Sequence, residues 1–440
     1  MRGYVFLSVV MTMLPLAAIQ PFVGVLLWSW ISFMNPHREV WGFATNQPWA
    51  LLVFGATIIG CLLAREPKRF EWNAATITLV VMMGVFTLTS LFTLAPAAAT
   101  WDKWDRTFKI VLGVLLTASL LTSRRRIHAL IWVMCISLGY YGVKGGIFAI
   151  MTAGSYRTWG PPDSIIGDNN HIATALLVAV PLMNYLRLQS KHRIVRLLIL
   201  AAMTLTTLAA LASYSRGAMI AAAAAALLLW WRSNGKIISG MLIAGCLAAG
   251  INFMPPQWVD RMNSITTYEE DASATTRLKL WEVSFKFAAA RPLAGAGFRG
   301  PYSREAVDTV MPGGPARAVH SIWFEVMGEH GFLGFAVWFM LLPIGVYHAM
   351  RLKRLTRDRP DLAWAANLGR MVPVSILAYA AGGTFLSLAY WDFFWTIIVI
   401  TAATHALVVK EVQSTAPIAA TAALGWRRRS AAGTDLAGAR

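Results

Sequence analysis

Runs of about twenty apolar residues recur along almost the whole chain, and no other feature restricts its fold as severely. A helix of that length spans the hydrocarbon core of a bilayer. Twelve such runs can be read, near residues 4–34, 48–64, 75–94, 107–122, 128–150, 171–187, 196–213, 216–232, 236–252, 321–347, 370–389 and 391–408. The expectation is an all-α polytopic membrane protein with about twelve transmembrane helices. The first run is interrupted by Pro15 and Pro21, so it is either one broken helix or two short ones. Composition agrees: 57% of residues are hydrophobic and 14% charged, where a soluble domain carries about a quarter charged. A water-soluble enzyme is excluded, and so is a chain too polar to bury itself. Cys61, Cys135 and Cys246 each lie inside an apolar run, which excludes a disulfide scaffold.

Loop charges orient the set. With a cytoplasmic amino terminus and twelve crossings, most of the 39 basic residues fall on one side, among them Arg65, Lys68, Arg69, Arg124–Arg126, Arg187–Arg196 and Arg351–Arg370. Short loops rich in Lys and Arg stay in the cytoplasm, so both termini are expected there. Counting Pro15–Pro21 as a break gives thirteen spans and moves only the amino terminus. The net charge of +18 is therefore read as topology signal, and no nucleic-acid partner is expected because no recognition module accompanies it. No small-residue cleavage site follows the first apolar stretch, so no signal peptide is read. The chain divides into an N-terminal membrane half (1–190), a region 191–345 containing a long outer loop (253–319), two last helices (346–410) and a disordered cytoplasmic tail (411–440) near anionic lipid.

Polar residues inside a bilayer are costly, so their depth is informative. Lys109, Lys144, His171, Arg216 and Asp392 all fall at the outward ends of their spans. A secondary transporter would instead place its site at mid-membrane. The outer loop carries an acidic patch, Glu269–Asp271, and a helix expected over 276–290, stopped by Pro292, with Leu278, Trp281, Phe285 and Ala288 as its apolar stripe. Arg277 opens this helix and Arg291 closes it, about 21 Å apart at 1.5 Å per residue, so one diphosphate should not hold both. Gly295–Gly300 spells GxGxxG, but no strand precedes it, and a tight turn is the better reading than dinucleotide binding. Asp102 and Asp105 are paired carboxylates already neutralised by Lys and Arg neighbours, and no metal site is expected.

The order of motifs in the C-terminal half carries a resemblance. Ser213-Tyr-Ser-Arg216-Gly217 opens a span, and Arg277-x-x-x-Trp281 follows in the outer loop. Arg291-Pro-Leu-x-Gly295-x-Gly297 comes next, then His320-Ser321-Ile-Trp-Phe-Glu325 and Glu329-His-Gly331-Phe-Leu-Gly334. Together, over about 205–345, these resemble the O-antigen ligase and O-antigen polymerase superfamily, which includes bacterial protein O-oligosaccharyltransferases. Asn35-Pro-His-Arg38-x-x-Trp41-Gly-Phe-Ala44 and Gly167-Asp-Asn-Asn170-His171 look like one branch of it, the O-glycosylation ligases encoded with exosortase A systems.

The resemblance implies a GT-C-type glycosyltransferase of the bacterial inner membrane, using neither metal nor cofactor, with its active site facing the periplasm. It implies transfer of a glycan from undecaprenyl diphosphate to an acceptor hydroxyl, such as a Ser or Thr of an exported protein, with inversion. Carried over by motif, the catalytic residues are Arg216, Arg277 and His320; where the family usually reads His-Asn, this chain has His320-Ser321. Arginine suits the role chemically, because its fork makes bidentate, permanently charged contacts to a leaving diphosphate. A histidine at the same membrane side suits an acceptor hydroxyl. Arg291, Asn170 and His171 are further candidates for binding diphosphate or glycan, although a helix stop explains Arg291 and capping explains the other two. Glu325 and Glu329, four apart, either orient His320 or pack internally. An O-antigen-type polymerase and a lipid-linked-sugar flippase remain as alternatives.

Overall fold

The computed structural model describes residues 2–65, 68, 70–233, 235–263 and 272–434. Arg69, the acidic patch Glu269–Asp271 and the last six residues lie outside the described residues. The first apolar run is two helices, α1 (Arg2–Ile19) and α2 (Pro21–Met34). Pro21 has no N–H to donate and its ring clashes with the preceding turn, yet it is well suited to the first position of a new helix. The chain reverses there. Phe6 at the start of α1 meets Trp30 near the end of α2, and Trp49 at the start of α3 (Trp49–Leu63), with ring centroids 5.9 and 5.3 Å away. Of the two readings of this run, the hairpin holds. The amino end therefore sits beside residues 36–49, not with the basic loops as the twelve-crossing count placed it.

A series of long helices follows: α4 (Ala74–Leu91), α5 (Ala97–Leu120), α6 (Arg124–Met151), α7 (Asn169–Gln189), α8 (Arg193–Leu211), α9 (Arg216–Arg232) and α10 (Lys236–Phe253). Their starts carry side-chain caps that the sequence spells out. Asn73 forms a capping box with Thr76, and Ser123, Asp168 and Ser215 accept from backbone amides in the first turns of α6, α7 and α9. α5 begins ten residues before its expected start, which brings the charged stretch 102–109 into a helix. Among the described residues, seven helices are long and apolar enough to cross a membrane. The chain is an all-helical integral membrane protein.

The C-terminal part comprises α11 (Pro256–Asn263), α12 (Ala272–Ala290), α13 (Arg304–Val310), α14 (Ile322–Phe339), α15 (Leu341–Leu355), α16 (Ala363–Gly383) and α17 (Asp392–Thr434). Three expectations change here. The loop helix α12 turns only part of the predicted stripe inward. Ala288 is buried and Trp281 half-buried, but Leu278 and Phe285 are exposed and Leu280, Val283 and Phe287 are buried in their place, because α12 docks on α14, one of the two placements open to such a stripe. The run 321–347 is not one helix either: Gly331 takes φ 67°, ψ −171° inside α14. The last helix continues to Thr434, through most of the tail expected to be disordered.

The break at Gly331 frees the carbonyls of Gly328 and Glu329. They accept the amides of Ala296 and Gly297, at 2.9 and 2.8 Å. The GxGxxG segment is thus a backbone clasp: a Cβ on Gly295 would fall 2.5 Å from the Gly331 nitrogen. That agrees with the tight-turn reading. Centrally, α7 packs on α6, α8, α9 and α16. The small face of α9 meets α16 where Ala221 approaches Gly382, the close approach that small residues allow between membrane helices.

Candidate functional site

One end of the bundle gathers the starts of α7, α9 and α14 with the end of α16. The Ser213–Gly217 motif forms the turn into α9. Ser215 caps it through Ala218 N at 3.2 Å, and Asn169 at the start of α7 donates to Ser213 O at 2.7 Å. That bond ties the Arg216 turn to the 167–171 segment. Tyr214, in the same turn, sits at φ 61° and anchors by donating to Gly154 O at 2.8 Å.

Asp168 organises the other side of this junction. Its Oδ1 accepts from Asn170 N (2.8 Å) and Asn170 Nδ2 (2.9 Å), and lies 3.2 Å from His171 Nδ1. Burial would raise the Asp168 carboxyl, but the His171 and Asn170 hydrogen bonds outweigh it and hold the group well below its ordinary value. An ionised Asp168 can only accept, so His171 Nδ1 is the donor and Nε2 is its remaining functional nitrogen. The Asn170 side chain is spent on the cap.

His320 and Arg277 reach the same end from the loop. Trp281, one turn after Arg277, donates to Val319 O at 3.2 Å and stacks on Phe324 at 5.2 Å, fixing α12 beside the residue that precedes His320. His320 sits at φ 53°, unusual for a residue with a side chain, and its amide donates to Ser387 Oγ at 2.9 Å. The imidazole is held below its ordinary value by burial first, then by the positive charge of Arg277 and by His171, against the opposing pull of Asp168 and Glu325. It is therefore neutral at neutral pH and able to accept a proton. Ser321, which stands where the family pattern has Asn, is fully buried and its hydroxyl has no hydrogen-bond partner.

The segment after α16 joins these parts, and nothing in the sequence reading singled it out. Phe385 packs against Gly217 on one side and against the Trp281 ring (6.2 Å) on the other. Thr384 accepts from Trp323 Nε1 at 2.9 Å, and Ser387 holds the His320 amide. Residues 384–387 thus link the arginine turn of α9, the loop helix and the histidine. A polar pair inside a Gly-Gly-Thr-Phe-Leu-Ser stretch at a span end was the only available signal.

A second cluster lies behind His320. Lys103 on α5 donates to Glu325 Oε1 (2.9 Å) and to both oxygens of Glu329 (2.8 and 2.9 Å). Glu329 also accepts from Arg299 N (2.8 Å) and Tyr390 OH (2.6 Å). Glu325 Oε1 accepts from Tyr302 OH at 3.3 Å, whereas its Oε2 is buried without a partner. The Tyr302 phenol is pushed up by burial and then by Glu325, so it stays a donor, and it also bonds Ser387. A continuous path therefore runs from the His320 amide through Ser387 and Tyr302 to the Glu325–Lys103–Glu329 triad. The spacing of the two glutamates was visible in sequence; their lysine, 222 and 226 positions away, was not.

Arg291 does not join the group. Its Nη2 donates to Phe92 O at 2.7 Å, and it closes the far end of α12, where Pro292 O accepts Leu333 N. Asp102 and Asp105 pair with Arg106 (2.9 Å) and Lys109 (2.5 Å) on the surface of α5.

Two arginine-bearing elements and a half-buried histidine thus meet at one end of a bundle of membrane helices, in an integral membrane protein. Residues 200–339 match the O-antigen ligase family, so that stretch is an O-antigen ligase domain. Residues 1–192 match a family of unknown function, DUF5935. No curated protein matches the chain. The matched ligase region contains Arg216, Arg277 and His320, and it gives the chain a membrane O-antigen ligase- or polymerase-type function.

Proposed function

We propose that this protein transfers a glycan from undecaprenyl diphosphate to an acceptor hydroxyl, on the periplasmic face of a bacterial inner membrane. The observation that supports it most is that Arg277, His171 and Asp168 all act on His320, with the Arg216 turn fastened to the 167–171 segment through Asn169. In this reading Arg216 and Arg277 hold the diphosphate and take up the negative charge that grows as the sugar–oxygen bond breaks. Preorganised donors of this kind contribute on the order of 3–4 kcal/mol each to a barrier. His320, kept neutral, accepts the proton of the attacking hydroxyl, and the attack inverts the anomeric carbon. Asp168 positions His171 beside it as a second polar contact for the glycan or diphosphate. The basic loops, including Arg124–Arg126 and Arg351–Arg359, lie at the opposite end of the helices, as a periplasmic site requires.

The likeness of residues 35–44 and 167–171 to the exosortase-associated branch points to a Ser or Thr of an exported protein as the acceptor. The test is transfer by purified protein from a lipid-diphosphate oligosaccharide, with Arg216, Arg277 and His320 each changed to Ala. We expect each variant to lose about 100- to 1000-fold in rate. Wild-type rates in all three would overturn the assignment, and growth of lipid-linked chains without acceptor would replace ligation by polymerisation.

A further inference from the structure

At the other end of α9, about 24 Å from Arg216 at 1.5 Å per residue, a cavity of about 780 Å³ opens between the ends of α9, α15 and α16. Five cations line it: Arg232, Lys353, Arg354, Arg357 and Arg370. No carboxylate does, and among the described residues none of the five is in an ion pair. Arg232 spends one guanidinium nitrogen on Arg370 O at 3.4 Å. The cavity between α4, α5, α6 and α17 makes the contrast: it also carries Lys68, Arg126 and Lys410, but Glu71 lines it and pairs with Lys410.

Helix C-termini favour cations, which accounts for Arg232 and for Lys353 and Arg354 in the last turn of α15. It does not account for Arg357 and Arg370 converging on the same cup, since Arg357 lies beyond α15 and Arg370 inside α16. Like charges collected around one hollow repel unless an anion sits among them. The remaining wall is apolar, formed by Leu229, Met350, Met371 and Pro373. A free phosphate has no use for such a wall, whereas a phospholipid meets both surfaces, its headgroup on the cations and its first methylenes on the apolar side.

We propose that this cavity is a binding site for the phosphate headgroup of an anionic phospholipid, separate from the proposed transfer site and independent of it. The probe is a mixture of equal parts phosphatidylglycerol and phosphatidylcholine, added to the full-length protein in detergent, with retained lipid read by native mass spectrometry. The wild type should retain phosphatidylglycerol about tenfold over phosphatidylcholine. A triple variant, Lys353→Gln, Arg354→Gln and Arg357→Gln, should lose most of that preference. A control of equal charge, Lys191→Gln, Arg193→Gln and Arg196→Gln at the exposed entry to α8, should keep it. If the triple variant does not fold, Arg354→Gln alone should reduce the preference about threefold. Equal loss in control and cavity variants, or no loss in either, would overturn the site in favour of diffuse surface charge. Displacement of phosphatidylglycerol by inorganic pyrophosphate at millimolar concentration would overturn the lipid as occupant in favour of a soluble anion.

Discussion

The two polar clusters at the site end differ in how their charges are held. The Arg216–Arg277–His320 group stands on turns and helix starts, half-buried, with its backbone fixed by caps and by residues 384–387. The Lys103–Glu325–Glu329 group is sealed between helices, with Glu329 fully buried and accepting from three different residues. A partly solvated group can meet a charged ligand, whereas a buried and saturated one can only hold other elements in place. Glu325 stands between them: one oxygen is in the triad, the other is buried without a partner, and the carboxylate acts on His320.

The comparison predicts that the two clusters fail differently. The largest effect is expected from Lys103→Ala, which leaves two carboxylates buried beside each other. Breaking such a group by removing one partner costs about 3–5 kcal/mol, so the variant should give little folded protein and a markedly lower Tm in detergent. A Lys103→Ala protein as stable as the wild type would show that the triad does not hold α5 to α14. By contrast, Arg277→Ala should unfold at nearly the wild-type temperature while losing transfer.

Gly331→Ala comes next. Its φ of 67° with ψ −171° is essentially reserved for glycine, and a Cβ would sit 2.5 Å from Pro292 O. Strained positions cost about 1–3 kcal/mol, and here the clash also opens the clasp that aligns Glu329. Thermal unfolding and transfer should therefore fall together, although Gly331 touches no proposed substrate group. A smaller contrast separates Glu329→Gln from Glu325→Gln. The first disturbs a carboxylate with every oxygen in use and should cost about 1–3 kcal/mol. The second can place its amide at the unpartnered oxygen and should cost less than about 1 kcal/mol. Equal losses would mean that Oε2 is not the spare position it is in the structure.

The smallest effect concerns pH. His320 must be neutral to accept a proton, and burial and Arg277 hold it below its ordinary value. Activity should then fall only as pH drops through that lowered value. Arg277→Gln removes a repelling charge, so the acid limb of the residual activity should move to higher pH, by up to about one unit. A limb that moves to lower pH, or stays, would detach Arg277 from His320.

Much of this molecule was legible one residue type at a time. Apolar runs of fixed length placed most helices, and the capping reading of the 168–171 segment holds at the start of α7, because a helix span and its cap are local events. The motif order brought out Arg216, Arg277 and His320 for the same reason: each sits in a short recognisable stretch. The start of α5 was missed because Asp102–Lys109 is polar by composition, yet its i,i+4 ion pairs and packing make it helical.

What the sequence by itself determined was the class of fold, the positions of the helices and the identity of the charged motif residues. The hairpin at Pro21, the break at Gly331 with the glycine clasp over it, the pairing of Lys103 with Glu325 and Glu329, and the bridging role of 384–387 were decided by tertiary structure. The physical reason is separation along the chain. Each of these joins groups far apart in sequence or depends on which of two allowed conformations the neighbouring helices reward, and neither hydropathy nor motif spacing carries that information.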